Sequence, residues 1–135
     1  MLINDKHHFL NIVSETVFNP WDYIFVTEKT WKPMLGLRPF IVNGQPKIYK
    51  WLRNNGFKTF NHYWPHIPVE TNDNVHNNVL DVIKFCIDQT PEQLKDLYNT
   101  MKPDLEYNRQ RFYEFANEQE HKIHNIFDYV SKDNT

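Results

Sequence analysis

Cysteine and glycine are scarce in this sequence, and each shortage excludes a class of protein. Cys86 is the only cysteine, so the chain has no internal disulfide, which fits a reducing compartment. Its position in an apolar run, residues 82–87, predicts a small buried hydrophobe. The three glycines do not have the spacing of a P-loop or of a dinucleotide-binding fingerprint. A Gly-x-Ser-x-Gly nucleophile elbow is also missing, which excludes that type of hydrolase.

Long apolar runs and an excess of charge are missing as well. No segment approaches the roughly 20 apolar residues of a membrane span. Residues 1–9 carry Asp5, Lys6, His7 and His8 where a signal peptide would be apolar, so we expect a cytoplasmic protein. The formal net charge of −2 excludes a globally basic nucleic-acid binder and leaves room for a local basic pocket. What the chain has in quantity is aromatic residues, 16% of the total, which predicts a core of large rings.

The order of apolar runs and turn residues predicts one mixed α/β domain over residues 1–135. Its first part, residues 9–60, is predicted to be a half-Rossmann βαβαβ unit with a short parallel sheet. The predicted elements are a strand at 9–13, a helix at 27–36, a strand at 39–42, a helix at 47–54 and a strand at 57–60. Because the carboxyl ends of parallel strands share one edge, where such sheets bind ligands, we expect the site at that edge.

The second part, residues 74–131, is predicted to be helical. One helix covers 74–88, and Thr90, Pro91 and Gln93 are typical cap, first-position and third-position residues of the next. Pro103 is predicted to open a last, long helix. Apolar residues recur along it at alternating spacings of four and three, with one polar break: Phe112, Ala116, Gln119, Ile123, Ile126 and Val130. We expect this seam to pack on its own domain, and an intermolecular coiled coil is the alternative.

The segment Thr27-Glu28-Lys29 has the features of an anion site. Thr27 is a good N-cap, and the free N–H groups and positive dipole end of the helix that follows stabilise an anion. Lys29 in the first turn is unfavourable for the helix alone, because a cation then lies at the positive end of the helix dipole. It becomes favourable when a phosphate lies between the lysine and that helix end. Pro33 also breaks a local rule, because it removes a helical hydrogen bond at the sixth position. The alternative is a solvated Glu-Lys pair at a helix start.

Thr-Glu-Lys, the apolar-rich helix after it and the run from Pro39 to Gly44 together resemble the donor-binding motif of the α1,3-fucosyltransferase family and its phage and bacterial relatives. Residues 50–60 resemble a subgroup of small phage and marine bacterial proteins. The resemblance covers residues 9–60. It implies the GT-B architecture of two facing Rossmann-like domains, with this motif in the C-terminal one, and a metal-independent, inverting transfer from a nucleotide sugar.

Residue by residue, the resemblance implies that Glu28 binds the ribose hydroxyls and Lys29 a diphosphate oxygen of a GDP-sugar, with Thr27 beside them. Phe25 is at the position where the family usually has a tyrosine near the base. The family also has a Phe-Glu-Asn motif before this loop, and two alignments place it in this sequence. Ungapped spacing aligns its asparagine with Asn19. Alignment on the predicted first strand instead aligns its glutamate with Glu15. The nucleotide sugar is a substrate, and no cofactor or metal is implied.

The family's acceptor site and catalytic base belong to the N-terminal domain, and this sequence has little before its first strand. We therefore expect half of an enzyme, which works with an N-terminal acceptor domain, a partner chain or a second copy in a homodimer. No residue is an evident base; Glu15, Asp22 and His62 would be the ones to test. The alternative is a binding or assembly module that reuses the half-Rossmann fold without chemistry.

Three other groups of residues bear on these hypotheses. Tyr23, Phe25 and Trp31 are expected to form an exposed apolar patch on the ligand side, which a partner would cover. The histidines, including the pairs His62/His66 and His121/His124, are interpreted as surface residues and not as metal ligands. Four cations around the second helix are interpreted as a solvated face, with extra positive potential beside a phosphate as the alternative: Lys47, Lys50, Arg53 and Lys58.

Overall fold

A short parallel sheet and the helix between its strands form the first part of the fold. The computed structural model of the protein describes residues 9–14, 28–71 and 73–133, except the side chains of residues 123, 126, 127 and 129–133. Strand β1 is Asn11–Val13 and strand β2 is Phe40–Val42, and they pair in parallel with Val13 opposite Val42. Helix α1, Glu28–Leu35, lies between them in the chain. The prediction of a mixed α/β domain is therefore confirmed.

The other described helices are α2, Lys47–Asn54, α3, Val75–Ile87, and α4, Pro91–Asp133, with a single 3-10 turn at Asn61–Tyr63. The predicted bounds of the first three helices agree with the structure to within one residue at each end. Turn residues and hydrophobic spacing thus located these elements correctly. None of the helices in the described part of the chain is both long and apolar enough to cross a membrane.

The predicted third strand at residues 57–60 is wrong, because the backbone of this segment pairs with a side chain and not with a strand. The N–H of Lys58 donates to Oδ1 of Asn108 at 2.8 Å, and Nδ2 of Asn108 donates to the carbonyl of Lys58 at 2.9 Å. On the sheet itself, the N–H of Val42 donates to the buried Tyr49 hydroxyl at 2.7 Å. Side chains thus make the bonds that a third strand would make, and the βαβαβ core reduces to βαβ among the described residues.

The start of α4 confirms the predicted capping box. The N–H of Thr90 donates to Oε1 of Gln93 at 2.8 Å, and the N–H of Gln93 donates to Oγ1 of Thr90 at 3.1 Å. This reciprocal pair satisfies two N–H groups at the helix start. The predicted helix start at Pro103 is wrong, since α4 runs through it for 43 residues, roughly 64 Å. Asn99, whose carbonyl loses its partner at Pro103, is exposed, so water can satisfy that carbonyl.

The core lies between β2, the inner faces of the helices and the segment after α2. All three residues of β2 are buried, as expected of a central parallel strand. Trp64 is 1% exposed and is the largest fully buried side chain. Cys86 is buried on α3, as predicted, and desolvation raises the pKa of its thiol to about 11. The thiolate is therefore negligible at neutral pH, and Cys86 behaves as a small hydrophobe.

The carboxyl end of α1 is held by an unusual left-handed leucine. Leu37 has φ of 54°, a conformation that normally favours glycine. It closes the helix because its N–H donates to the Met34 carbonyl at 3.3 Å and the next N–H, of Arg38, donates to the Pro33 carbonyl at 2.9 Å. The hydroxyl of Tyr98 on α4 donates to the Leu37 carbonyl at 2.9 Å. A strained residue persists where tertiary contacts over-determine it, so Tyr98 fixes the end of α1.

Five aromatic rings join α1 and α2 to the middle of α4. The centroid of Trp31 lies 5.3 Å from that of Phe57, 5.5 Å from those of Phe112 and Phe115, and 6.3 Å from that of Trp51. These are favourable aromatic distances, and the rings pack as one cluster. Phe112 thus packs on α1, whereas the side chains of Ile123, Ile126 and Val130 lie outside the described residues, so the packing of the rest of the seam stays a prediction. Further along α4, Ala116 is exposed and makes no such contact.

Arg111 covers one side of this aromatic cluster. Its guanidinium carbon lies 5.7 Å from the ring centroid of Phe57, and its Nε donates to the Asn55 carbonyl at 2.8 Å. A bidentate pair with Glu118 raises the pKa of Arg111 and lowers that of the Glu118 carboxyl. Gly56 has φ of 87°, and a Cβ there would lie 2.9 Å from Nε of Arg111. Both the turn and the close approach of the arginine therefore require glycine at position 56.

Candidate functional site

A cleft of about 390 Å³ lies between β1 and α1. Residues 10–14 form one side, from Leu10 through β1 to Ser14 just past its carboxyl end. Lys29, Lys32 and Pro33 of α1 form the other side. The cleft runs along the whole of β1 and reaches its carboxyl end at Ser14, whereas the sequence predicted a ligand site at the carboxyl ends of the strands.

The helical geometry of α1 determines which side chains reach the cleft. Successive residues are rotated by about 100°, so Lys29, Lys32 and Pro33 share one side of the helix. Trp31 is rotated by about 200° from Lys29 and lies in the aromatic cluster on α4. The prediction that Trp31 belongs to an exposed apolar patch on the ligand side is therefore wrong. The side of the cleft that α1 forms is therefore basic.

The chemistry of the lining favours an anion. Lys29 and Lys32 supply two cations, Ser14 a hydroxyl and Asn11 an amide, and none of the described lining residues is a carboxylate. Both lysines are exposed residues of α1. Lysines one helical turn apart can contact one ligand together, because residues at i and i+3 are neighbours on a helix surface. Groups of this kind are donors to phosphate or carboxylate oxygens.

The residues predicted to bind the nucleotide sugar fall into two groups. Lys29 lines the cleft, whereas Glu28, the first residue of α1, is exposed and does not belong to the lining. The remaining predictions lie outside the described residues: Thr27, Phe25, Asn19 and Glu15, together with Asp22 and Tyr23. Sequence reasoning missed Ser14 and Lys32 as lining residues. The spacing of three between Lys29 and Lys32 was the available signal.

A second cleft, of about 450 Å³, is formed by the single loop from Asn61 to Pro68. His62 and His66 line it, and the ring of His62 lies 4.1 Å from that of Tyr63. Two polar atoms of this loop have no hydrogen-bond partner among the described residues: Oδ1 of Asn61 and Nε1 of Trp64. Each exposes less than 1 Å² to solvent, so a molecule in the cleft does not reach them. The loop cleft offers two exposed imidazoles and no lysine or arginine, so the cleft beside α1, with its two lysines, is the stronger candidate for an anion site.

The basic residues around α2 do not contribute to the cleft beside α1. Arg53 forms a bidentate ion pair with Glu70 and donates to Oγ1 of Thr59 at 3.0 Å. Lys58 is paired with Asp104 at 3.5 Å. None of the four cations predicted as a cluster lines the cleft. Two of the four cations therefore form exposed ion pairs. The interpretation as a solvated face fits them better than the alternative, in which they add positive electrostatic potential beside a bound phosphate.

Histidines and carboxylates in the described part of the chain do not converge on a metal site. Across residues 9–14, 28–71 and 73–133 there is no group of three or more His, Cys, Asp or Glu side chains that could hold a metal ion. His121 and His124 are both exposed on α4. The possible base His62 lines the loop cleft and not the cleft beside α1.

Three comparisons with known proteins identified no relative of this chain. No protein-family model matches the sequence, and neither the curated proteins nor the solved structures contain a match.

Proposed function

We propose that the cleft between β1 and α1 binds the diphosphate of a nucleotide sugar, and that the protein is the donor-binding domain of a glycosyltransferase of the fucosyltransferase-like kind. The observation that carries this proposal is the lining itself. Lys29 and Lys32 line the cleft together with Asn11 and Ser14, and the described lining has no carboxylate. The amino end of α1 adds N–H groups and a favourable dipole for phosphate.

The roles of individual groups follow from this arrangement. Lys29 binds a phosphate oxygen, and the exposed carboxylate of Glu28 at the start of the helix accepts hydrogen bonds from the ribose diol. Inverting transfer also needs a base for the acceptor hydroxyl. The described lining has no histidine or carboxylate for that task, so we propose that the acceptor side comes from a second domain, a partner chain or another copy. On this account the isolated chain, a cytoplasmic protein, binds the donor without transferring the sugar.

Nucleoside diphosphates are expected to raise the melting temperature of the protein. A ligand that binds only the folded state stabilises it by mass action, by about 2.7 kcal/mol at a concentration 100 times the dissociation constant. Differential scanning fluorimetry with millimolar GDP, UDP and ADP checks this. An unchanged transition with all three, in a protein shown to be folded by circular dichroism, would contradict the proposed function.

Replacing Lys29 by alanine is expected to weaken GDP binding by about 1.5–3 kcal/mol, the range for hydrogen bonds to charged groups. Stability should change little, because Lys29 is exposed and lies at the end of α1 that disfavours cations. Calorimetric titration measures the affinity, and chemical denaturation measures the stability. Lys50→Ala is the matched control, since Lys50 is an exposed helical lysine outside the cleft. Equal affinities for the two variants would remove Lys29 from the site.

A further inference from the structure

Lys32 extends the basic wall of the cleft by one helical turn beyond Lys29. It lies in the last turn of α1, on the same side of the helix as Lys29 and Pro33, and it lines the cleft. Within the described part of the chain its ammonium group has no ion-pair partner. A cation at this end of a helix is favourable by itself, so position alone does not separate a structural role from a binding role. The shared cleft with Lys29 is what points to a ligand.

The two lysines differ in what else surrounds them. Lys29 is in the first turn, where the free N–H groups of the helix start would also attract an anionic group. Lys32 is further from the helix start and would reach an anionic group displaced along the helix from the first. A ligand with one phosphate satisfies the first position and leaves Lys32 solvated. A ligand with two linked phosphates engages both lysines.

We propose that Lys32 contacts the second phosphate of the bound ligand, and that it makes the cleft selective for nucleoside diphosphates over nucleoside monophosphates. This rests on the proposed function, because it assumes that the cleft is a nucleotide site. Beyond that function, the proposal assigns a binding role to Lys32 and a preference for diphosphates to the cleft. The selectivity depends on the phosphates and not on the base, so it applies equally to guanine and uracil nucleotides.

The test compares GDP with GMP, and UDP with UMP, by calorimetric titration of the wild type, Lys32→Gln and Lys50→Gln. Glutamine keeps much of the length and helix propensity of lysine while removing the charge. We expect Lys32→Gln to weaken diphosphate binding about tenfold and to change monophosphate binding less than about twofold, in line with loss of one charge-assisted hydrogen bond. Lys50→Gln should leave both affinities unchanged. The titrations are run at about 0.5 M salt, which screens long-range electrostatic attraction. A difference between wild type and Lys32→Gln that persists there reports direct contact between Lys32 and the ligand.

Each other outcome overturns a defined part of the account. Equal weakening of diphosphate and monophosphate binding by Lys32→Gln would show general attraction and not contact with a second phosphate. Unchanged binding of both would remove Lys32 from the site while the nucleotide site stands. Failure of the folded wild type to bind any of the four nucleotides would overturn the proposed function and this inference with it. Circular dichroism of each variant confirms that the compared proteins are folded.

Discussion

Replacing Asn108 by alanine is expected to lower the free energy of unfolding by about 2–4 kcal/mol. The side chain is 1% exposed and makes both hydrogen bonds of the Lys58 backbone, as acceptor from its N–H and as donor to its carbonyl. Alanine leaves both backbone groups without partners in a part-buried segment, and each buried unsatisfied group costs about 1–3 kcal/mol. Urea denaturation followed by circular dichroism measures the change, as a lower midpoint at unchanged slope.

Asn117→Ala is the matched control for this prediction. Asn117 lies on the same helix, α4, but is exposed, so its replacement should change stability by less than about 0.5 kcal/mol. Asn108→Asp separates the two bonds, because a carboxylate still accepts from the Lys58 N–H and no longer donates to the carbonyl. Similar small losses for Asn108→Ala and Asn117→Ala would show that the segment at 57–60 does not depend on Asn108.

Replacing Trp31 by alanine is expected to cost about 3 kcal/mol of stability and to weaken nucleotide binding as well. Trp31 is the residue of α1 that contacts Phe112 and Phe115 of α4, and it lies two residues from Lys29. Truncating a large aromatic residue in a packed cluster leaves a cavity and typically costs 3–5 kcal/mol when fully buried. Loss of this contact also loosens the helix that carries both cleft lysines, so GDP affinity should fall in protein that is still folded.

Trp31→Phe and Tyr113→Ala are the comparisons for this variant. Phenylalanine keeps a ring in the cluster, so about half of the loss or less is expected. Tyr113 is 57% exposed on α4, and its removal should change neither stability nor affinity appreciably. A Trp31→Ala protein that is destabilised but binds GDP with the wild-type affinity would show that the aromatic cluster does not position the cleft lysines.

The sequence predicted the local elements well because their signals are local. The capping box at Thr90 and Gln93 involves residues three apart, and α2 is bounded by turn residues next to it. The third strand was mispredicted for the opposite reason. Its backbone partner is Asn108, 50 residues further along the chain, and nothing in the four residues 57–60 shows whether a strand or a side chain will pair with them. Pro103 was misread because the cost of a proline inside a helix, about 3 kcal/mol, does not by itself end a helix that is packed on both sides of it, here through the buried Met101 and Leu105.

The candidate site was predictable in part for a similar reason. Lys29 was identified from the chemistry of a helix start, which is a local property, and it lines the cleft. Trp31 was assigned to the ligand side because it is close in sequence, although two residues along a helix rotate a side chain by about 200°. Lys32 was missed because its place in the cleft depends on the strand that lies opposite. Sequence proximity thus indicated the helix, and the tertiary packing decided which of its faces meets the cleft.

Mapping GDP onto the protein by amide chemical shifts is the most direct test of the central claim, that the cleft between β1 and α1 is the nucleotide site. The chain has 135 residues, a size suited to two-dimensional nitrogen–proton spectra. The account predicts saturable shifts of the amides of residues 10–14 and of Lys29 and Lys32, with those of residues 61–68 unchanged. Shifts confined to the loop at 61–68, or a spectrum of the folded protein that millimolar GDP leaves unchanged, would contradict it.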